Sequence, residues 1–301
     1  MITKRNMDFL CVGFEKAGTT SLDTILRQHS LINLPKIKET QYFYWDYKYE
    51  NAKEVLWERY FSDKAGIYGA IEPEFEYFPK EIQREFGKDV KLLFIMRNPV
   101  NRLFSSYRME LRRGAKAVIE QYKERKSVSL MFEKFVVNHM VYNKRGTAKL
   151  FVERGKYMRV IREFMNYFPH ENMKFIIFEE FILNPQKYII EIQNFLGIPI
   201  ERLNCNVKEN EGNRVSRNYG CAYLNALIIS LNFQLWTNKD FPISLYMKWK
   251  IFLDKIMQYT TVEIRSQMNH RTQKICEQFY REDKEELEKF LKKDLSQLWF
   301  S

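Results

Sequence analysis

The sequence predicts an α/β fold: three layers with a central parallel sheet flanked by helices, then a mainly helical C-terminal region. Three observations lead there. Short apolar runs at Met7–Phe14, Val90–Met96 (VKLLFIM) and Lys174–Phe178 (KFIIF) have the length of buried strands. Each is followed by a turn and then a helix-like segment, and strands alternating with helices build parallel sheets covered on both faces. Beyond about residue 215 the pattern is helical.

In chain order, the first run ends at Gly13 before a turn, and Thr20–His29 reads as a helix with Leu22, Ile25 and Leu26 inward. The shorter run Gly66–Ile71 adds a strand. Val90–Met96 leads through Arg97-Asn98-Pro99 into a helix through Arg112, with Pro99 suited to a first helical position. After Lys174–Phe178, Asn184-Pro185 opens a helix to Leu196 that Gly197 terminates. The last helix, Glu282–Lys293, sets Leu287, Phe290 and Leu291 against a charged side.

No linker, fixed-period repeat or low-complexity tract divides the 301 residues, so one domain is expected, with the core sheet over about 7–200 and helices over 215–301. Two segments admit two readings. Arg112–Val128 is polar and basic, a solvated loop or helix, or else a loop that grips substrate. Tyr223–Tyr259 holds Trp236, Trp249 and Phe252 interrupted by Lys239, Asp240, Lys248, Lys250 and Asp254; it reads as core helices, with interfacial membrane contact as the alternative.

Lys and Arg number 49 against 38 Asp and Glu, a formal charge of +11 that favours anionic partners. The basic residues are scattered among acidic ones with no nucleic-acid module spacing, so nucleic acid is not expected. Cys11, Cys205, Cys221 and Cys276 lie far apart, which supports neither a zinc site nor a disulfide framework, and no metal is expected. The start, MITKRNMDFLCVGF, is too briefly apolar for a signal peptide or anchor, and a cytoplasmic location is the expectation.

The first βα turn, Gly13-Phe14-Glu15-Lys16-Ala17-Gly18-Thr19-Thr20-Ser21, combines flexible glycine, a cation, hydroxyls and a helix N-terminus. Free backbone amides and the helix dipole attract a phosphate or sulfate there, Thr19 and Thr20 can donate, and Lys16 can neutralise charge. A triphosphate loop places its lysine directly after the second glycine; here Lys16 precedes Gly18, so that pattern fails. The bland reading is a helix capped by Thr or Ser. In the second cluster, Arg97 through Tyr107, Arg97 stands at a strand's C-terminal end and Ser105 lies two turns into the next helix. An Arg fork and a Ser hydroxyl both suit phosphate, while a surface salt-bridge region is the alternative.

Together the two clusters resemble the PAPS-dependent sulfotransferases. Their 5′-phosphosulfate loop is similar to Lys16 through Leu22, and their 3′-phosphate motif to Arg97 through Tyr107. The resemblance continues in Gly155 and Tyr157, FEEFILNP (Phe178–Pro185), FLGIP (Phe195–Pro199) and DLSQLW (Asp294–Trp299). It implies a P-loop-like form of the three-layer fold, PAPS as co-substrate, PAP as product and no metal. It also implies that Lys16 contacts the bridging oxygen and 5′ groups within the binding run Lys16-Ala17-Gly18-Thr19-Thr20-Ser21, and that Arg97 and Ser105 hold the 3′-phosphate. Arg214 or Arg217 in GNRVSRN serves as the later basic contact, with Arg214 preferred.

Leu34 through Phe43 (LPKIKETQYF) resembles the K-E-x-x-F-F segment of the heparan-sulfate-type and bacterial carbohydrate sulfotransferases, whose Glu is the catalytic base; that resemblance implies Glu39 here, among Lys36, Lys38 and aromatic side chains. His29, His139, His170 and His270 occupy no motif-like position, and a surface carboxylate paired with a lysine is the other reading of Glu39. Two departures follow: Gln41 stands where a histidine is common, and Gly69-Ala70-Ile71-Glu72-Pro73 lacks a family lysine, so Glu72 is expected to add negative charge beside the acceptor. The implied acceptor is a hydroxyl or amine, on a carbohydrate or glycolipid. The competing readings are a P-loop small-molecule kinase and a non-catalytic module binding PAP or anionic glycans.

Overall fold

The computed structural model describes residues 6–45, 52–124, 126–142, 147–207, 214–237, 241–264 and 267–300. The first five residues of the N-terminal run, residues 46–51, Arg125 in the basic segment, Gly212 and Asn213, and Lys239 and Asp240 lie outside the described residues. The chain groups into two compact units, Met1–Asn98 with Tyr157–Asn210, and Pro99–Lys156 with Glu211–Ser301.

The first unit holds the sheet: β1 (Phe9–Gly13), β2 (Ile32–Asn33), β3 (Ile67–Ile71), β4 (Lys91–Met96) and β5 (Met173–Ile177). Their order is β2-β3-β1-β4-β5 and every pairing is parallel. All of β1 is buried, as is β4 from Leu92 to Met96, so both faces are covered and the runs need no polar alternation. Each fully buried Leu or Phe in such a strand contributes roughly 1.5–3 kcal/mol. β2 and β3 lie on one side of β1, β4 and β5 on the other. The chain therefore reverses its direction of travel across the sheet at β1, and the crevice beyond the C-terminal ends of β1 and β4 is the place where open parallel sheets bind ligands.

Helices Thr19–Leu26, Pro79–Phe86, Tyr157–Met165 and Pro185–Leu196 belong to this unit. The third turns Met158, Ile161 and Phe164 inward, and Phe164 meets Phe94 of β4 edge-on at 5.2 Å. The last begins at Pro185 and stops at left-handed Gly197, φ 75°, as its punctuation predicts. Two details differ from expectation. β5 ends at Ile177, and Phe178 opens a short helix, Phe178–Leu183, with Glu179 and Glu180 in its first turn. β2, only two residues long, has no periodicity to read.

In the second unit the Pro99–Arg113 helix packs Leu103, Tyr107 and Leu111 into a core with Phe132, Val152 and Tyr280. Tyr280 donates to Val152 O at 2.8 Å, and a Cβ on Gly155 would stand 2.6 Å from its ring, so the close approach requires glycine. The final helix runs His270–Leu291, much longer than Glu282–Lys293. Asn269 caps it by accepting from Thr272 N–H at 2.8 Å, and the buried stripe Cys276, Tyr280, Lys284, Leu287 keeps helical spacing although only Leu287 of the four is aliphatic. The mainly helical C-terminal region also contains an antiparallel pair, β6 (Arg214–Ser216) with β7 (Thr261–Glu263). The Arg112–Val128 segment forms turns of helix over Lys116–Ile119 and Glu120–Glu124, and it buries Val118 and Ile119.

Candidate functional site

Because the five strands are parallel, the segments that follow β1, β2, β3, β4 and β5 all leave the same edge of the sheet. In the first unit those segments carry Lys16, Glu39, Glu72, Arg97 and Phe178.

The loop after β1 is fastened by Phe14 N–H to Ile95 O at 2.8 Å and by Ala17 N–H to Phe14 O at 3.1 Å. Lys16 has φ 66° and Gly18 φ 95°, two left-handed positions that fold the chain tightly before the Thr19–Leu26 helix begins. A Cβ on Gly18 would lie 2.5 Å from the Phe178 ring. Gly18 is the N-cap and offers no side chain to the first-turn amides, and the first turn carries no acidic residue. Asp23, further along, is neutralised by Arg27 at 2.6 Å. The predicted Thr or Ser cap is therefore not what closes this end, and the amides of Thr19, Thr20 and Ser21 begin a helix whose dipole favours an anion.

Arg97 meets this loop directly. Its Nη1 donates to Lys16 O at 3.2 Å, and its guanidinium lies 5.0 Å over the Phe178 ring. Tyr157 Oη donates to Arg97 O at 2.6 Å, and Asn98 N–H donates to Glu179 Oε1 at 2.9 Å, so the turn after β4 is held from two further elements. Phe178 and Glu179 stand in the FEEFILNP run, which the family resemblance marks without giving either residue a role.

Glu39 has φ 65° and its carboxylate pairs with Lys38 Nζ. That is the pairing expected of a surface carboxylate, yet the backbone around it is fixed from within. Glu72 N–H donates to Cys11 O at 2.9 Å, and the Glu72 carboxylate accepts the N–H groups of Thr40 and, at 3.3 Å, Gln41. Glu72 is buried, which raises its pKa to about 8, with the nearby charge of Glu39 acting in the same direction and the Thr40 amide opposing it. The expectation that Glu72 adds a negative charge beside the acceptor does not hold, because burial favours its protonated form at neutral pH.

Ser105 and Arg214 belong to the second unit. Ser105 is buried on the Pro99–Arg113 helix. Arg214 donates from Nε to Thr261 Oγ1 at 3.0 Å and from Nη2 to Gln258 O at 2.9 Å and Thr261 O at 3.2 Å, so much of its fork is engaged in joining β6 to β7. Arg217 is exposed and donates to Thr261 O at 3.3 Å. His29 is buried, with Nε2 3.0 Å from Pro199 O and Nδ1 accepting from Leu31 N–H at 3.1 Å, a structural histidine within the first unit. The four cysteines are unpaired, and burial pushes the thiols of Cys11 and Cys276 up to about 12. Among the described residues no group of three or more His, Cys, Asp or Glu side chains is placed to hold a metal ion.

Residues 6–290 match the sulfotransferase domain family. Over 199 residues, 63% of the chain, the sequence is 27% identical to heparan sulfate glucosamine 3-O-sulfotransferase 5 of Mus musculus; the match takes in 53% of that protein, so the chain spans about half the length of this curated relative. Among solved structures, a sulfotransferase from Alicyclobacillus acidocaldarius is similar with a TM-score of 0.52, covering 84% of this chain and 96% of that one at 21% identity, a likeness of fold.

Proposed function

Because the chain belongs to the sulfotransferase family, we propose that it moves a sulfuryl group from PAPS to a hydroxyl or amine of a carbohydrate or glycolipid acceptor. The observation that carries this reading is the bond from Arg97 to Lys16 O beside a helix N-terminus without a side-chain cap. It sets a strand-end arginine and the loop lysine together at the sheet's ligand-binding edge. The mouse relative is named for heparan sulfate glucosamine, which supports a sugar acceptor.

The donor supplies a sulfuryl group already activated on a phosphosulfate. The amides and hydroxyls of the run Ala17 to Ser21 hold its 5′ end, which suits a helix start free of acidic side chains. Arg97 and, by the family resemblance, Ser105 and Arg214 are assigned the 3′-phosphate. Glu39 takes the proton from the acceptor atom as that atom bonds to sulfur. Lys16 neutralises the charge left on the 5′-phosphate as the bond from sulfur to the bridging oxygen breaks, so the products are the sulfated acceptor and PAP.

The test is incubation with PAPS and pooled oligosaccharide, glycolipid and phenolic acceptors, read by mass spectrometry for a product that gains sulfate, together with calorimetry of PAP against ATP with Mg²⁺. Sulfated sugar and PAP binding support the proposal. Binding of ATP with Mg²⁺ but not PAP would make the protein a kinase, and PAP binding without transfer to any pool would make it a non-catalytic nucleotide or glycan binder.

A further inference from the structure

The Tyr219–Thr237 helix has 19 residues and no charged side chain. One face is built into the second unit through Ala222, Asn225, Ile228 and Trp236, and Asn225 Nδ2 donates to Arg112 O and to Ser216 Oγ, both at 2.9 Å. The opposite face is also apolar, and it is exposed: Tyr223, Leu227 and Leu231 stand at four-residue spacing, with Leu224 beside them, between 43% and 55% accessible. Burial of one face explains half of this helix. The other half presents large apolar side chains to solvent along several turns.

The Ile243–Thr260 helix packs beside it, Asn232 Nδ2 donating to Tyr246 Oη at 3.3 Å and Thr260 Oγ1 to Asn225 Oδ1 at 2.5 Å. Its outward residues mix two kinds. Leu245, Ile251, Phe252 and Tyr259 are 49–79% exposed. Lys248, Lys250 and Lys255 are exposed among them, against a single acid, Asp254. Lys248, Phe252, Lys255 and Tyr259 fall on one stripe, so cations and aromatic side chains share a face. No helix among the described residues is long and apolar enough to cross a membrane.

We propose that the outer surface of these two helices rests on an anionic lipid bilayer, with Leu227, Leu231 and Phe252 entering the headgroup boundary and Lys248, Lys250 and Lys255 meeting the lipid phosphates. A surface helix with aliphatic and aromatic side chains on one side and lysines that reach outward binds in this way, since apolar burial and attraction to anionic lipid add together. Charge selects this occupant over a second copy of the chain: a two-fold contact through the same face would set the lysine-bearing helix against its own equivalent, whereas an anionic surface neutralises it.

The experiment is flotation of the full chain with vesicles of phosphatidylcholine alone and of phosphatidylcholine mixed with phosphatidylglycerol. The chain should float with the mixed vesicles only, and less so at raised salt. Leu227→Asp with Leu231→Asp should lower the partition coefficient roughly tenfold or more, and Lys248→Gln with Lys250→Gln and Lys255→Gln on the order of tenfold or more. All five positions are exposed, so thermal melts should match the parent. Absence of flotation with anionic vesicles, or flotation that neither variant changes, would overturn the proposal. So would a dimer in sedimentation velocity that the leucine variant dissociates while vesicle binding is absent, since the face would then belong to a second copy.

Discussion

The Glu72 carboxylate accepts the backbone N–H of Gln41 at 3.3 Å across 31 residues of sequence, and that of Thr40 beside it. Both Glu39 and Gln41 are left-handed, φ 65° and 53°, conformations that ordinary side chains adopt at a cost. Glu72 fixes the amides between and beside them, so Glu39 projects from a braced backbone.

A pH dependence follows. In the folded chain Glu72 has a pKa of about 8 against an ordinary 4.5, so the fold holds this proton more tightly than the unfolded chain does. The contribution to stability is full below the lower value and is lost as pH rises toward the higher one. Glu72→Gln keeps an acceptor oxygen and removes the titration. Between about pH 5 and pH 8 the variant should gain a few kcal/mol relative to the parent, read as a converging or crossing pair of melting profiles. Parallel profiles would show that Glu72 does not titrate in this way.

Lys16→Ala should lower turnover by about a hundredfold or more while leaving the melting temperature within a degree or two, since Lys16 caps no core. Glu39→Gln should reduce kcat strongly and PAP affinity little, which calorimetry and initial rates separate. Full activity in Glu39→Gln would require another base.

Gly18→Ala meets two obstacles, a backbone at φ 95° and the Phe178 ring at 2.5 Å. It should cost about 1–3 kcal/mol and weaken PAP binding at least tenfold. Adding Phe178→Ala frees the space without relieving the backbone, so recovery should be partial. Thermal melts and PAP titration of both variants measure this.

Tyr157→Phe removes the 2.6 Å bond to Arg97 O and leaves a carbonyl short of a donor. The expected cost is about 1–2 kcal/mol, with the KM for the donor raised several-fold and kcat at saturation nearly unchanged. A fall in kcat with constant KM would place Tyr157 in a different role.

Four strands are legible in sequence: β1, β3 and β4 are short apolar runs buried along nearly all their length, and β5 keeps enough of one to be read although Lys174 and Phe175 are only partly covered. The same rule ran one residue too far at Phe178, since apolar character alone does not distinguish the last strand residue from the first of a helix. β2, β6 and β7, at two or three residues each, are shorter than any period. At the candidate site, the turn Lys16–Ser21 before a helix and the strand-end position of Arg97 are legible because each is a local pattern of neighbouring residues. Glu72 was misread because its meaning lies in a contact with residues 40 and 41, and only burial reveals that its charge is suppressed. Composition leaves Tyr223–Tyr259 open between core helices and an interfacial surface; the Tyr219–Thr237 helix buries one apolar face and exposes another, so hydrophobicity alone does not separate the two sides.

Arg97 directs its Nη1 to the Lys16 carbonyl. On the proposed reading, the residue that senses one end of the nucleotide is thereby wired to the loop that senses the other. Adenylyl sulfate, which lacks the 3′-phosphate, would forfeit more than a single contact: the guanidinium would be less firmly anchored, and the loop around the sulfuryl end less well shaped. Discrimination between the two donors would then appear in the rate of transfer as well as in affinity, as a proofreading of the donor's far end before its near end reacts.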